Sequence, residues 1–183
     1  MNIVDESDHG RNEQIRSETY RNLRRFELTD SELLMELIPY AEELFCSIEE
    51  DYMPLMILPE LSVKGKETPL RIGMVNDDKR TFGVVIGVSM KQFKTDRAAL
   101  IFEAWGLPND IDRPRGMPIK DHSLRVELYI LHLFNRCNNG IGATWMIERK
   151  KDVRTLKEPD ISLTECKTRW DQEIQEAWEA FVA

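Results

Sequence analysis

The chain has no apolar run long enough to cross a bilayer, and Met1 to Gly10 hold three acids and no apolar stretch. Neither a membrane partner nor a secretory leader is therefore expected. Cysteine is scarce: Cys46, Cys137 and Cys166 are an odd, widely spaced set. That fits free thiols in a reducing cytoplasm and argues against a disulfide framework. Cys-x-x-Cys, His-Glu-x-x-His, Gly-x-Ser-x-Gly, Gly-x-Gly-x-x-Gly and the phosphate-binding Walker loop are all missing. No catalytic residue, metal or cofactor is assigned from motifs, because each of those chemistries needs its ligands or glycines at set spacings. Asn109-Asp110-Ile111-Asp112 begins like a calcium loop but lacks the glycine and glutamate that would complete one.

What is present is a single-domain length with material for a core. The 183 residues are 42% hydrophobic and 32% charged, which excludes wholesale disorder. The charge is segregated. Residues 30–60 have nine acids and no Lys or Arg, residues 61–157 have 18 bases against 11 acids, and residues 158–183 have seven acids against two bases. The whole carries −8, a sign that argues against nonspecific nucleic-acid binding. The basic middle suits either an acidic neighbour within the fold or an external anion.

Residues 1–11 read as a polar tail, and 12–183 as one α+β domain: 12–59 helical, 70–148 sheet, 162–182 helix. A basic segment with Ile15, Thr19, Leu23 and Phe26 at helical spacing starts at Asn12. Thr29 and Glu32 form a capping box, with Leu28 and Leu33 at the staple positions. Leu33, Leu34, Leu37, Ile38, Ala41, Leu44 and Phe45 then follow a helical stripe. Pro39 inside it predicts a kink or a junction between two helices.

Alternation predicts strands at 70–75, at 81–90 (Phe82, Val84, Ile86, Val88, Met90 on one side), at 98–105, at 124–134 and at 143–148. Gly83 and Gly87 mark a close approach by another backbone or a ligand, or a bulge; tight packing of a helix or a bent strand is the commoner reason for such glycines. Asn138-Asn139-Gly140 reads as a hairpin turn. A second capping box, Ser162 with Glu165, opens a last helix bearing Trp170, Ile174, Ala177, Trp178 and Phe181. The tight turns predict an antiparallel meander of about five strands, with the N- and C-terminal amphipathic helices packed on one face.

His132 lies on the apolar side of its strand and reads as a satisfied core histidine. Glu103, Trp105, Arg125, Glu127 and Tyr129 lie on two successive strands and form the candidate ligand-binding set. A cross-strand pair of Arg125 with Glu103 is expected if those strands are neighbours. A concave face lined by these residues would hold a small ligand.

Phe102-Glu103-Ala104-Trp105, a proline-bearing loop, and then Asp121 through Arg125-Val126-Glu127 resemble a family of phage and bacterial proteins. In these an E-A-W strand end and a D-x-x-x-R-x-E strand start recur. The resemblance covers roughly residues 98–148. It implies an α+β sheet domain and a mobile-element origin, and brings no activity with it.

The expected function is non-enzymatic binding: a phage-encoded accessory protein acting on a host protein, or one that sequesters a small anionic ligand. An enzyme using Asp110, Asp112, Asp121, His122 or Glu103 around the 106–121 loop is the alternative. A structural homo-oligomer, whose partner is a second copy, is the other.

Overall fold

The computed structural model describes residues 28–48, 54–61, 70–73, 79–108, 111–112, 116–151, 153–164 and 170–180. The tail at 1–11, the basic segment from Asn12, Cys166, and Glu165 of the second capping box lie outside them.

Helix α1 spans Asp30–Ser47, and its start is the predicted one. The Thr29 hydroxyl accepts the Glu32 amide at 3.3 Å, and the Glu32 carboxylate takes the Thr29 amide at 2.9 Å. These two reciprocal bonds satisfy amides that the first turn would leave without a partner. Pro39 lies within this one helix and does not divide it. Leu33, Leu34, Leu37, Ile38, Ala41 and Phe45 are buried, so the stripe read from the sequence is the face that packs.

Among the described residues seven strands follow: β1 (Leu55–Ile57), β2 (Leu70–Arg71), β3 (Arg97–Gly106), β4 (Val126–Asn135), β5 (Asn138–Lys150), β6 (Val153–Leu156) and β7 (Asp160–Ser162). The order across the sheet is β2-β1-β3-β4-β5-β6, all antiparallel, and β7 shares the outer edge of β5 with β6. The α+β class and the antiparallel sheet are as the sequence predicts, and β3-β4-β5 is a meander.

Several expectations are corrected: Leu55–Ile57, expected within the helical part, is strand β1, and the N- and C-terminal helices do not share one face of the sheet. Residues 81–90 are not a strand but part of helix α2 (Lys79–Gln92). Phe82, Ile86 and Met90 recur every four residues as well as every second one, and the helical reading buries all three against Met56, Ala98, Leu100 and Phe102. The β-branched residues of this segment disfavour a helix in isolation; packing on the sheet overrides that preference. Ser162 closes β7 and does not cap a helix; the last helix, α3, is Trp170–Ala180. The β4–β5 turn falls at Arg136–Cys137, just before Asn138-Asn139-Gly140, because Asn135 already pairs with Asn138. The Asn135 side chain holds the turn by accepting the Cys137 amide at 2.9 Å.

The helices are divided between the two faces of the sheet. One core joins α1 to Leu55, Ile57, Ala99, Ile101, Leu131, Leu133, Ala143 and Trp145. The other joins α2 and α3 to Met56, Leu100, Phe102 and Phe134. The division follows from strand alternation: β3 is apolar on both sides along Ala98–Phe102, so each side needs its own cover. On the second face the close approach expected at the glycines is made by α3. A Cβ on Gly83 would lie 2.6 Å from the Glu173 Cβ, and one on Gly87 2.9 Å from the Ala177 Cβ. His132 is fully buried there, as expected of a core histidine, with Nε2 3.1 Å from an Asp171 oxygen.

Candidate functional site

Helix α1 covers the middle of its sheet face and stops at Ser47. Beyond its C-terminal end the same face continues on Glu103 and Trp105 of β3, Glu127 and Tyr129 of β4, and Arg149 of β5. The register sets Glu103 against Tyr129, Trp105 against Glu127, and Tyr129 against Trp145. The sequence-predicted set Glu103, Trp105, Glu127 and Tyr129 is thus gathered on one face, with Arg125 one residue before β4.

The predicted Arg125–Glu103 pair does not form. Tyr129 stands opposite Glu103, which leaves Arg125 four residues further along, beyond the end of β3. Its guanidinium instead lies over the Trp105 ring, 4.7 Å from the centroid. Glu103 is bridged by Arg154 of β6, and Glu127 by Nε of Arg149 at 2.6 Å. The Arg154–Glu103 pair links strands three places apart, roughly 14 Å at ordinary strand spacing. Both side chains must therefore lie along the floor of the face. The Arg154 guanidinium also sits 4.7 Å from the Phe45 ring centroid, under the last turns of α1.

Three arginines make a transverse row. Arg149 directly faces Arg154 in the β5–β6 register, and continuing the β4–β5 register places Arg125 on the other side of Arg149. Like charges facing each other across strands destabilise a sheet unless they are neutralised. Glu103 and Glu127 neutralise two of the three. Sequence reasoning missed Arg149 and Arg154 because it ended the sheet at residue 148. The signal was the short alternation Val153-Arg154-Thr155-Leu156 after Lys151-Asp152. Lys151 adopts the positive φ (58°) that a tight hairpin turn requires.

Burial deepens from the rim inward. The Trp105 side chain is 41% exposed; Glu103 and Arg154 are largely covered; Tyr129 is buried and donates its hydroxyl to the Ala41 carbonyl at 2.9 Å. Burial raises the Glu103 carboxyl above the ordinary 4.5, while the hydrogen bond and charge of Arg154 oppose that rise. Burial, and then the Glu103 charge, push the Tyr129 phenol far up. The phenol is therefore a fixed donor at neutral pH and not a base.

The residues proposed for an enzyme are placed otherwise. Asp112 and Asp121 are exposed, and Asp110 lies outside the described residues. The His122 Nδ1 accepts the Leu124 amide at 3.1 Å, closing a local turn. Among the described residues no group of three His, Cys, Asp or Glu is placed to hold a metal ion, and no helix is long and apolar enough to cross a membrane.

A second polar cluster lies at the opposite end of the same face. Arg97 Nε bridges Glu60, its Nη1 donates to the Leu28 carbonyl at 2.9 Å and approaches Asp30 at 3.5 Å. Asn135 donates to Asp30 at 2.8 Å, and Thr95 to Glu60 at 2.9 Å. This cluster ties the start of α1 to three other segments.

Comparison with protein-family models, with curated proteins and with solved structures found no match for this chain.

Proposed function

We propose that the chain is a non-enzymatic binding protein that engages a protein partner through the open end of the α1 face. The observation that carries this reading is the distribution of exposed large apolar side chains. Of the eight found among the described residues, Trp105 stands at the end of β3, and Met117 and Leu124 stand in the β3–β4 connection, at the end of the sheet that α1 leaves open. Exposed apolar surface concentrated in one place and rimmed by charge marks an interaction surface. Trp, Met and Arg are also the residue types enriched at the centre of such interfaces. An accessory role in a phage, acting on a host protein, fits this reading and rests on the sequence resemblance alone.

A photo-cross-linking residue placed at Leu124 tests it, with the same residue at Phe93 as control. Both positions are exposed, at 52% and 48%, but Phe93 follows α2, away from the proposed surface. In cells that naturally produce the chain, irradiation should give a defined adduct from position 124 and none from 93. Equal labelling at both positions contradicts the proposal. An adduct with a second copy of the chain would favour the homo-oligomer.

A further inference from the structure

We infer that Arg125, whose guanidinium lies over Trp105, is a receptor for one carboxylate supplied by an acidic side chain of the protein partner. This rests on the reading of the sheet end as a protein-binding surface. The argument comes from the arginine row itself. Arg154 and Arg149 each carry a carboxylate of this chain, Glu103 and Glu127 respectively. Arg125 is the third member of the row, and among the described residues no carboxylate pairs with it; its contact is the Trp105 ring. The two filled positions show what the third accepts.

Contact with the Trp105 ring, 4.7 Å from its centroid, restrains the Arg125 guanidinium in an exposed position. A planar fork of donors so held matches the two oxygens of a carboxylate and loses little freedom on binding. Trp105 supplies an apolar shoulder beside it, which reduces competition from water. Charge decides between anions. Three arginines against two glutamates leave +1, which a monoanion balances and a phosphate dianion would overshoot to −1. The basic surroundings add attraction at longer range: Lys150 is 83% exposed, and Lys151 is exposed beside it. An acidic segment with an apolar residue next to its carboxylate is the partner chemistry that this surface complements.

The test uses the full chain and two fluorescent dodecapeptides, one alternating Leu and Glu, the other Leu and Gln. Fluorescence anisotropy should show binding of the Glu peptide only, weakened by added salt. Arg125→Gln should weaken it about tenfold or more, the usual scale for a lost charge-assisted bidentate contact. Lys94→Asn removes the same charge at the far end of the sheet, at a positive-φ position (54°) that Asn tolerates, and should leave binding unchanged. Acetate should displace the peptide at lower concentration than inorganic phosphate does. Binding of the Gln peptide as tight as that of the Glu peptide, indifference to Arg125→Gln, or displacement by phosphate first would each overturn the inference. The broader reading fails separately, if cross-linking at Leu124 yields no partner.

Discussion

The two ends of the α1 face use the same chemistry in opposite ways. At one end Arg97 is 8% exposed, and Asp30, Glu60 and the Leu28 carbonyl converge on its guanidinium. At the other end Arg125, Arg149 and Arg154 meet two carboxylates and an exposed Trp105. The first end lies beneath the start of α1; the second continues past the helix's last turn. Where the helix covers the polar groups, they close on one another and act as a pin. Where it stops, one guanidinium is left facing outward on an aromatic ring. Burial, more than residue type, separates the structural arginine from the one proposed to bind.

The comparison breaks most visibly at Arg97. Replacing it with Ala leaves Asp30 and Glu60 with a buried cation removed, and should cost about 3–5 kcal/mol. Urea unfolding would read this as a large fall in midpoint at an unchanged slope. A loss comparable to that of a surface substitution would show that the pin is not one.

Next in size is Thr29→Ala, at the same closed end. Loss of the cap should cost about 1 kcal/mol, measurable as a lower Tm. Removing Glu32 as well should add little, because the two side chains act together.

At the open end the expected signature is in pH rather than in stability. The native state holds the Glu103 proton more tightly than the unfolded chain does, since burial lifts its pKa above 4.5. Protonation of this group therefore favours folding. Its contribution to stability falls as pH rises from the ordinary carboxylate range through the raised value. Carboxyl-carbon NMR should place the Glu103 midpoint above 4.5 and that of Glu32, lowered by its bonds to Thr29, below. Arg154→Gln should move the Glu103 midpoint higher still. A fall in that variant would contradict the assignment of Arg154 as its partner.

Smallest of all is the effect of Trp105→Ala or Arg125→Ala on stability, within about 0.5 kcal/mol. Both side chains are exposed and neither fills the core.

These contrasts were unevenly legible in the sequence. The cap at Thr29 and the stripe along α1 could be read directly, because both depend on neighbours three and four residues apart. The gathering of Glu103, Trp105, Glu127 and Tyr129 followed from strand parity on β3 and β4. Their pairing did not, because register depends on where the β3–β4 connection lets the strands meet. Residues 81–90 satisfied both a two-residue and a four-residue period, and only the sheet face awaiting cover selects the helix. The Arg97 pin was invisible for a related reason. Its members, from Leu28 to Asn135, are far apart along the chain and meet only once four segments have packed.

The most direct test of the central claim is to measure partner capture and thermal stability together on Trp105→Ala. The account predicts an unchanged Tm with the partner lost. A variant that retains the partner at wild-type level with its fold intact would contradict it.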